Sequence, residues 1–186
     1  PDGRVLVTGG TRVGNNGGSD AVFAAELWNP ATGAWTTLAS ASRIRVYHSG
    51  ALLMPNGTVM SLGGGTPGPQ YNANAEVFYP PHLFQPQGSG SMLAARPVMT
   101  GINALAMKLG TTLQVEMQDA SAVARLVLVR TATVTHSFNN GQSFHELTFT
   151  QSGDRLSAEL PASANLLPPG HYMVFALNAA GVPSRA

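Results

Sequence analysis

Pro1-Asp2-Gly3-Arg4-Val5-Leu6-Val7-Thr8-Gly9-Gly10 returns further along the chain as Pro55-Asn56-Gly57-Thr58-Val59-Met60-Ser61-Leu62-Gly63-Gly64. Each copy places a turn pair, Asp2-Gly3 or Asn56-Gly57, before a short apolar run that a diglycine closes. Asn-Gly between apolar runs is a hairpin signal, because Asn and Gly tolerate the left-handed backbone that tight turns need. A second pair confirms the register. Ala25-Glu26-Leu27-Trp28-Asn29-Pro30 returns as Ala75-Glu76-Val77-Phe78-Tyr79-Pro80. Asn29 to Gly33 reads as another turn, followed two residues on by Trp35.

A period of about 50 residues, with a Gly-Gly ending one strand, is the kelch signature of one four-stranded propeller blade per repeat. Trp28 and Trp35 are then expected to pack within the blade. Two repeats do not close a propeller, because known propellers have at least about four blades. Residues 1–83 therefore read as the last blades of an incomplete propeller. The missing blades are expected in N-terminal residues upstream or in another chain.

Beyond this point the pattern changes. Phe84 to Arg96, with Gln-Pro-Gln-Gly-Ser-Gly-Ser at its centre, reads as a linker over 84–96. From residue 97 to 186 short alternating strands are expected at Thr112–Met117, Ala124–Val129, Phe144–Phe149, Arg155–Leu160 and His171–Leu177. Such strands, with turns every dozen residues or so, fit an immunoglobulin-like β-sandwich. The fold class is all-β throughout.

Composition excludes several partners. The formal net charge is +1 and no Lys/Arg run occurs, so no nucleic acid is expected. No apolar stretch approaches the roughly 20 residues of a spanning helix. Cysteine is absent, which removes disulfides and thiolate ligands from these residues.

Two segments carry chemistry. Arg43-Ile44-Arg45-Val46-Tyr47-His48-Ser49-Gly50-Ala51 sets a phenol beside an imidazole just before the apolar run Ala51–Met54. Thr131-Ala132-Thr133-Val134-Thr135-His136-Ser137-Phe138 offers a second imidazole. Imidazole nitrogen with phenolate oxygen suits Cu(II), which favours tetragonal N,O sites. Neighbours on a regular strand point to opposite faces. Tyr47 and His48 can share one ion only where the backbone is irregular, at a strand start or bulge. His82, His145 and His171 lack such a setting. His82 is expected in a loop and His145 on the solvent face of its strand.

Taken with Pro55–Val59, Arg96-Pro97, Gly170–Met173 and Asn178–Ser184, these segments resemble the galactose oxidase and glyoxal oxidase family of copper radical oxidases. The resemblance implies a propeller followed by an immunoglobulin-like domain, secreted or at the cell surface. It implies one copper ion held by Tyr47, His48 and His136, with Tyr47 axial and also the base that takes the substrate proton. A hairpin closing at Asn139-Asn140-Gly141 would carry His136 into the propeller. Substrates would be a small alcohol, an aldehyde or a carbohydrate, with O2 reduced to hydrogen peroxide. The family's Tyr-Cys radical cofactor is expected upstream, since this chain has no Cys. Galactose-oxidising members present a bulky aromatic from the loop after the first diglycine. Thr11 to Asp20 carries none, which counts against galactose. The alternative is a non-catalytic secreted protein of the same build that binds carbohydrate or cell-wall polymer.

Overall fold

The computed structural model describes residues 1–14, 18–65, 71–135 and 138–186, and they fold as strands and turns with two short 3-10 turns. The two sequence copies become two antiparallel sheets. β1 (Val5–Val7), β2 (Ala24–Trp28) and β3 (Trp35–Ser40) form the first, in that order. β4 (Ser49–Leu53), β5 (Val59–Gly63) and β6 (Ala75–Phe78) form the second. β1 matches β5 and β2 matches β6, so the second sheet owns a strand, β4, that has no counterpart beside β1. Each sheet thus has three strands among the described residues, against the four that a kelch repeat implies.

Asn56-Gly57 does not make a two-residue hairpin. Leu53 pairs with Val59, and Met54 to Thr58 form a longer loop. The Asn56 side chain accepts the Thr58 N–H at 3.1 Å, and Asp2 accepts that of Arg4 at the same distance. The two Asx turns are equivalent, which is what the repeat recorded. Trp28 and Trp35 face each other across β2 and β3 with ring centroids 6.2 Å apart. Trp35 is 57% exposed, so this pair covers the sheet surface rather than filling a core.

The stretch expected as a linker contains a hairpin, β7 (Phe84–Gln87) with β8 (Gly90–Leu93). Gly88, at φ 57, opens the two-residue connection between them, the arrangement of a type II′ turn.

The C-terminal region is a sandwich. One sheet runs β15 (Thr150–Ser152), β16 (Arg155–Glu159), β10 (Thr112–Met117), β9 (Met99–Ile102). The facing sheet runs β14 (Phe144–Leu147), β11 (Val123–Arg130), β17 (Tyr172–Asn178). Alternate residues Leu113, Val115 and Met117 meet Leu126, Leu128 and Leu156 between the sheets. Each such side chain contributes about 1.5–3 kcal/mol of burial. The remaining residues of β11, Val127 and Val129, pack on the opposite face with Phe175, Leu177 and Leu53 of β4. Burial on both faces explains the unbroken apolar run at residues 126–129 within this strand. At the sandwich edge the Tyr172 hydroxyl donates to the Pro168 carbonyl at 2.6 Å, a tyrosine corner.

The sandwich meets both repeat sheets at the same element, the Asx turn. Arg125 donates to the Asp2 carbonyl at 3.1 Å, and Arg96 donates to the Asn56 carbonyl at 2.6 Å. Arg96 also donates to the carbonyls of Pro183 and Ser184, at 2.7 and 2.5 Å. His82 lies in a 3-10 turn, Pro81–Leu83, with Nε2 3.2 Å from the Gly57 carbonyl and Nδ1 3.6 Å from Asp2. It therefore bridges the two Asx turns from a 3-10 turn rather than sitting in an irregular loop.

Candidate metal centre at the start of a strand

Tyr47 and His48 occupy the turn that leads into β4, where Ser49 N–H donates to the Val46 carbonyl at 2.9 Å. His48 has φ 63, and it is the non-glycine residue of positive φ among those described. A four-residue turn with its third residue left-handed is the type II form, which normally takes Gly or Asn there. This is the irregularity that two adjacent ligands require. The rings end up stacked, with centroids 3.8 Å apart and planes 28° from parallel. Tyr47 is half-buried and His48 exposed. Phenol and imidazole are thus presented side by side, a donor pair that fits Cu(II).

Both diglycines close on this turn. Gly10 N–H donates to the Arg45 carbonyl at 2.6 Å, and a Cβ on Gly9 would stand 2.6 Å from that oxygen. Gly65 N–H donates to the Tyr47 carbonyl at 2.5 Å. A Cβ on Gly64 would come within 3.2 Å of Val46 N. Only glycine lets the two strand ends approach so near.

Beneath the turn lies Arg45, 1% exposed. Its guanidinium donates to the Gly63 and Asn74 carbonyls, at 3.0 and 3.2 Å, and to Glu76 at 3.1 Å. Burial pushes the Glu76 carboxyl up, but hydrogen bonds from Ser42 and the Arg45 charge outweigh it and hold the group below its ordinary value. Sequence reasoning gave these two residues no role. The signal was present, since Arg45 stands two residues ahead of Tyr47 and Glu76 belongs to the repeat.

His136 lies outside the described residues. The strands flanking it, β12 (Val134–Thr135) and β13 (Phe138–Asn139), pair Thr135 with Phe138, so the ladder closes ahead of Asn139-Asn140-Gly141. Val134 approaches β4, 3.2 Å from where a Gly50 Cβ would stand. The hairpin therefore runs alongside the strand that follows Tyr47 and His48. Among the described residues no three of His, Cys, Asp and Glu cluster as a metal site.

His145 does not face solvent. It is half-buried against Tyr172, at 6.1 Å between centroids, and burial holds its imidazole below 6.5. Its neighbour Phe144 faces Gly3 instead, so period-two reading found the alternation but assigned the faces in reverse.

Comparison with known proteins follows the same two regions. The family model described as Galactose oxidase-like, Early set domain matches residues 96–186. The whole chain aligns with a galactose oxidase of Gibberella zeae at 34% identity, covering 27% of that protein. It aligns with aldehyde oxidase GLOX of Vitis pseudoreticulata at 30% identity, again over the whole chain and 38% of that protein. A solved fungal alcohol oxidase of the AA5 family, in complex with copper, superposes over the entire chain and 39% of its own, with TM-score 0.89 and 32% identity. The chain spans between about a quarter and two fifths of the length of these proteins.

Proposed function

We propose that this chain, whose residues 96–186 belong to the galactose oxidase-like, early set domain family, is the C-terminal part of a copper radical oxidase. The full protein oxidises primary alcohols or aldehydes and reduces O2 to hydrogen peroxide. The observation that carries this reading is the left-handed turn at His48, which sets its imidazole against the Tyr47 phenol. Strain of this kind collects at functional sites, where surrounding structure holds it in place.

In this reading Tyr47, His48 and His136 hold one copper ion. Copper supplies Lewis acidity and one-electron redox chemistry. Tyr47 would take the proton of the substrate hydroxyl at its phenol oxygen. An alcohol gives an aldehyde and an aldehyde hydrate gives an acid, with two electrons and two protons passing to O2 in each case. The second electron equivalent needs a Tyr-Cys cofactor from polypeptide outside these residues. The loop Thr11–Asp20 presents no aromatic side chain, which favours small alcohols and aldehydes over galactose. Its residues 15–17 lie outside the described ones.

Further polypeptide also has a place to sit. Among the described residues β1 pairs with β2 alone, and a cleft of ≈ 660 Å³ runs between β1 and the Ser49–Leu53 strand. Val5 and Val7 stand 46% and 42% exposed. A strand added along β1 would complete that repeat sheet as a propeller blade and cover this edge. By family resemblance the full protein acts outside the cell.

Two substitutions in the full-length protein test the assignment. His136→Ala removes a ligand, and both copper content and peroxide release should fall. Tyr47→Phe keeps the histidines and should keep copper, while turnover drops about 10²- to 10⁴-fold with loss of the positioned base. Elemental analysis and a peroxide assay over small alcohols and aldehydes read both. Unchanged turnover in Tyr47→Phe would remove Tyr47 as the base.

A further inference from the structure

We infer that Arg45 and Glu76 form a positioning device for the metal ligands, rather than an ion pair kept for stability. The inference rests on the copper reading above. Arg45 is two residues ahead of Tyr47 and its side chain lies under the turn. Through one guanidinium it joins two separate pieces of backbone, the end of β5 at Gly63 and the approach to β6 at Asn74, to the carboxylate of Glu76 on β6. Its own carbonyl takes the Gly10 N–H from the end of the preceding repeat. The turn bearing Tyr47 and His48 thus starts from a residue fixed at both its main chain and its side chain. Glu76 is fixed in turn by the backbone N–H and hydroxyl of Ser42, at 2.8 and 2.7 Å.

The energetics argue against stability as its purpose. With Arg45 buried and Glu76 partly exposed, the pair gains little, since desolvating the guanidinium offsets much of the attraction. Here the arrangement also leaves the Arg45 Nε buried without a hydrogen-bond partner. An unmet buried donor is costly, and such an atom in a folded protein calls for another reason to be there. Geometry at the turn supplies it. His48 must stay left-handed to stack on Tyr47, and a turn that disfavours its own side chain needs its flanks held. Arg45 holds one flank, and β4 begins at the other. Neither Arg45 nor Glu76 touches the substrate or the metal in this scheme. They act through the backbone of the two ligands.

The test is made on the full-length, copper-loaded protein with Cu(II) as the probe. Glu76→Gln removes the charge but keeps the shape, and an Arg45→Leu/Glu76→Leu double variant removes both charges without leaving either unpaired. Ser42→Ala, an exposed change outside the turn, loosens Glu76 and keeps the fold if the others do not. Copper affinity is measured by chelator competition, and ligand geometry by the Cu(II) electron paramagnetic resonance spectrum. Residues that orient ligands typically contribute 10- to 100-fold in metal affinity. Glu76→Gln and the double variant should lose about that much and change the spectrum, with circular dichroism unaltered. Ser42→Ala should lose a few-fold. Variants that fold, bind Cu(II) as tightly as the parent and give its spectrum would reduce the pair to a structural one. If Glu76→Gln and the double variant do not fold, an unchanged affinity and spectrum in Ser42→Ala overturns the inference by itself. A parent protein that takes up no Cu(II) brings down the copper reading and this inference together.

Discussion

Replacing His48 by Gly should leave the protein more stable than replacing it by Ala. Both substitutions delete the imidazole, so the loss of the ring and of its stacking on Tyr47 cancels between them. What differs is the backbone. At φ 63 the Cβ of Ala crowds the following carbonyl, at about 1–2 kcal/mol for an L-residue, and Gly escapes this. Against it, Gly adds unfolded-chain freedom worth about 0.4–1 kcal/mol. The balance favours Gly by about 0.5–1 kcal/mol. For a chain of this size that moves the melting temperature by roughly 1–4 °C. The control is His145, on the extended strand β14, where the usual preference applies and Ala should exceed Gly by about 0.5–1 kcal/mol. Chelator-treated protein is unfolded in denaturant and followed by the fluorescence of Trp28 and Trp35, so no metal enters the comparison. The order of the two residues should invert between the sites. If Ala proved the better replacement at both, the turn would not be left-handed at residue 48, and the account of how Tyr47 and His48 could share one ion would fail.

Further outcomes follow from the interface and the open sheet edge. Arg96→Ala should destabilise by roughly 2–4 kcal/mol, since three charge-assisted bonds are lost but the freed carbonyls can take up water. Arg96→Lys should recover little of it, because an ammonium cannot span three acceptors set apart in a fork; denaturant midpoints of the three proteins decide. Burial pushes the Asp2 carboxyl up, yet hydrogen bonds from His82 and Arg4 outweigh it and hold the group well below its ordinary 3.8. A depressed folded value means that stability is present above about pH 4 and lost as pH falls through that lower value. Asp2→Asn, the residue its repeat partner uses, should flatten this acid dependence between about pH 5 and 2, as read from unfolding midpoints across a pH series. These 186 residues alone should self-associate or bind a hydrophobic dye through Val5, Val7 and the free edge of β1, and a monodisperse, cooperatively unfolding monomer in sedimentation would contradict that.

Sequence pattern reached furthest where one residue type had one physical use. The diglycines at 9–10 and 63–64 were legible as strand ends, although not as the two walls of the Tyr47–His48 turn, because that closeness joins positions far apart in the chain. The demand for an irregular backbone at Tyr47-His48 followed from strand geometry once the family resemblance gave both residues to one ion, and φ 63 at His48 answers it. The hairpin β7–β8 escaped notice because all but one of its residues are exposed, so no apolar alternation marks it. β9 and β15 are short strands at the two edges of one sheet and fail to register for the same reason. His145 was misjudged since a period of two cannot say which face is inner. That depends on Phe144 meeting Gly3, a contact between regions. Arg45 stayed silent because two of its partners are main-chain carbonyls, which every sequence provides, and Glu76 because Ser42 and Arg45 lie far from it in the chain.

The two arginines that reach from the sandwich to the Asx turns have a consequence for how this protein can vary. Both hold carbonyl oxygens of the main chain, at Asp2 and Asn56, so the side chains at those positions are free to drift between acid and amide without releasing the grip. The receiving half of each joint is thereby insulated from substitution, while the donating half resides in one residue apiece. Descendants of this chain can remodel the loops around either turn and still inherit the same docking angle, provided Arg96 and Arg125 persist. Transplanting the sandwich onto another repeat of the same kind would then require matching two arginines to two turns, and little else at those points of contact.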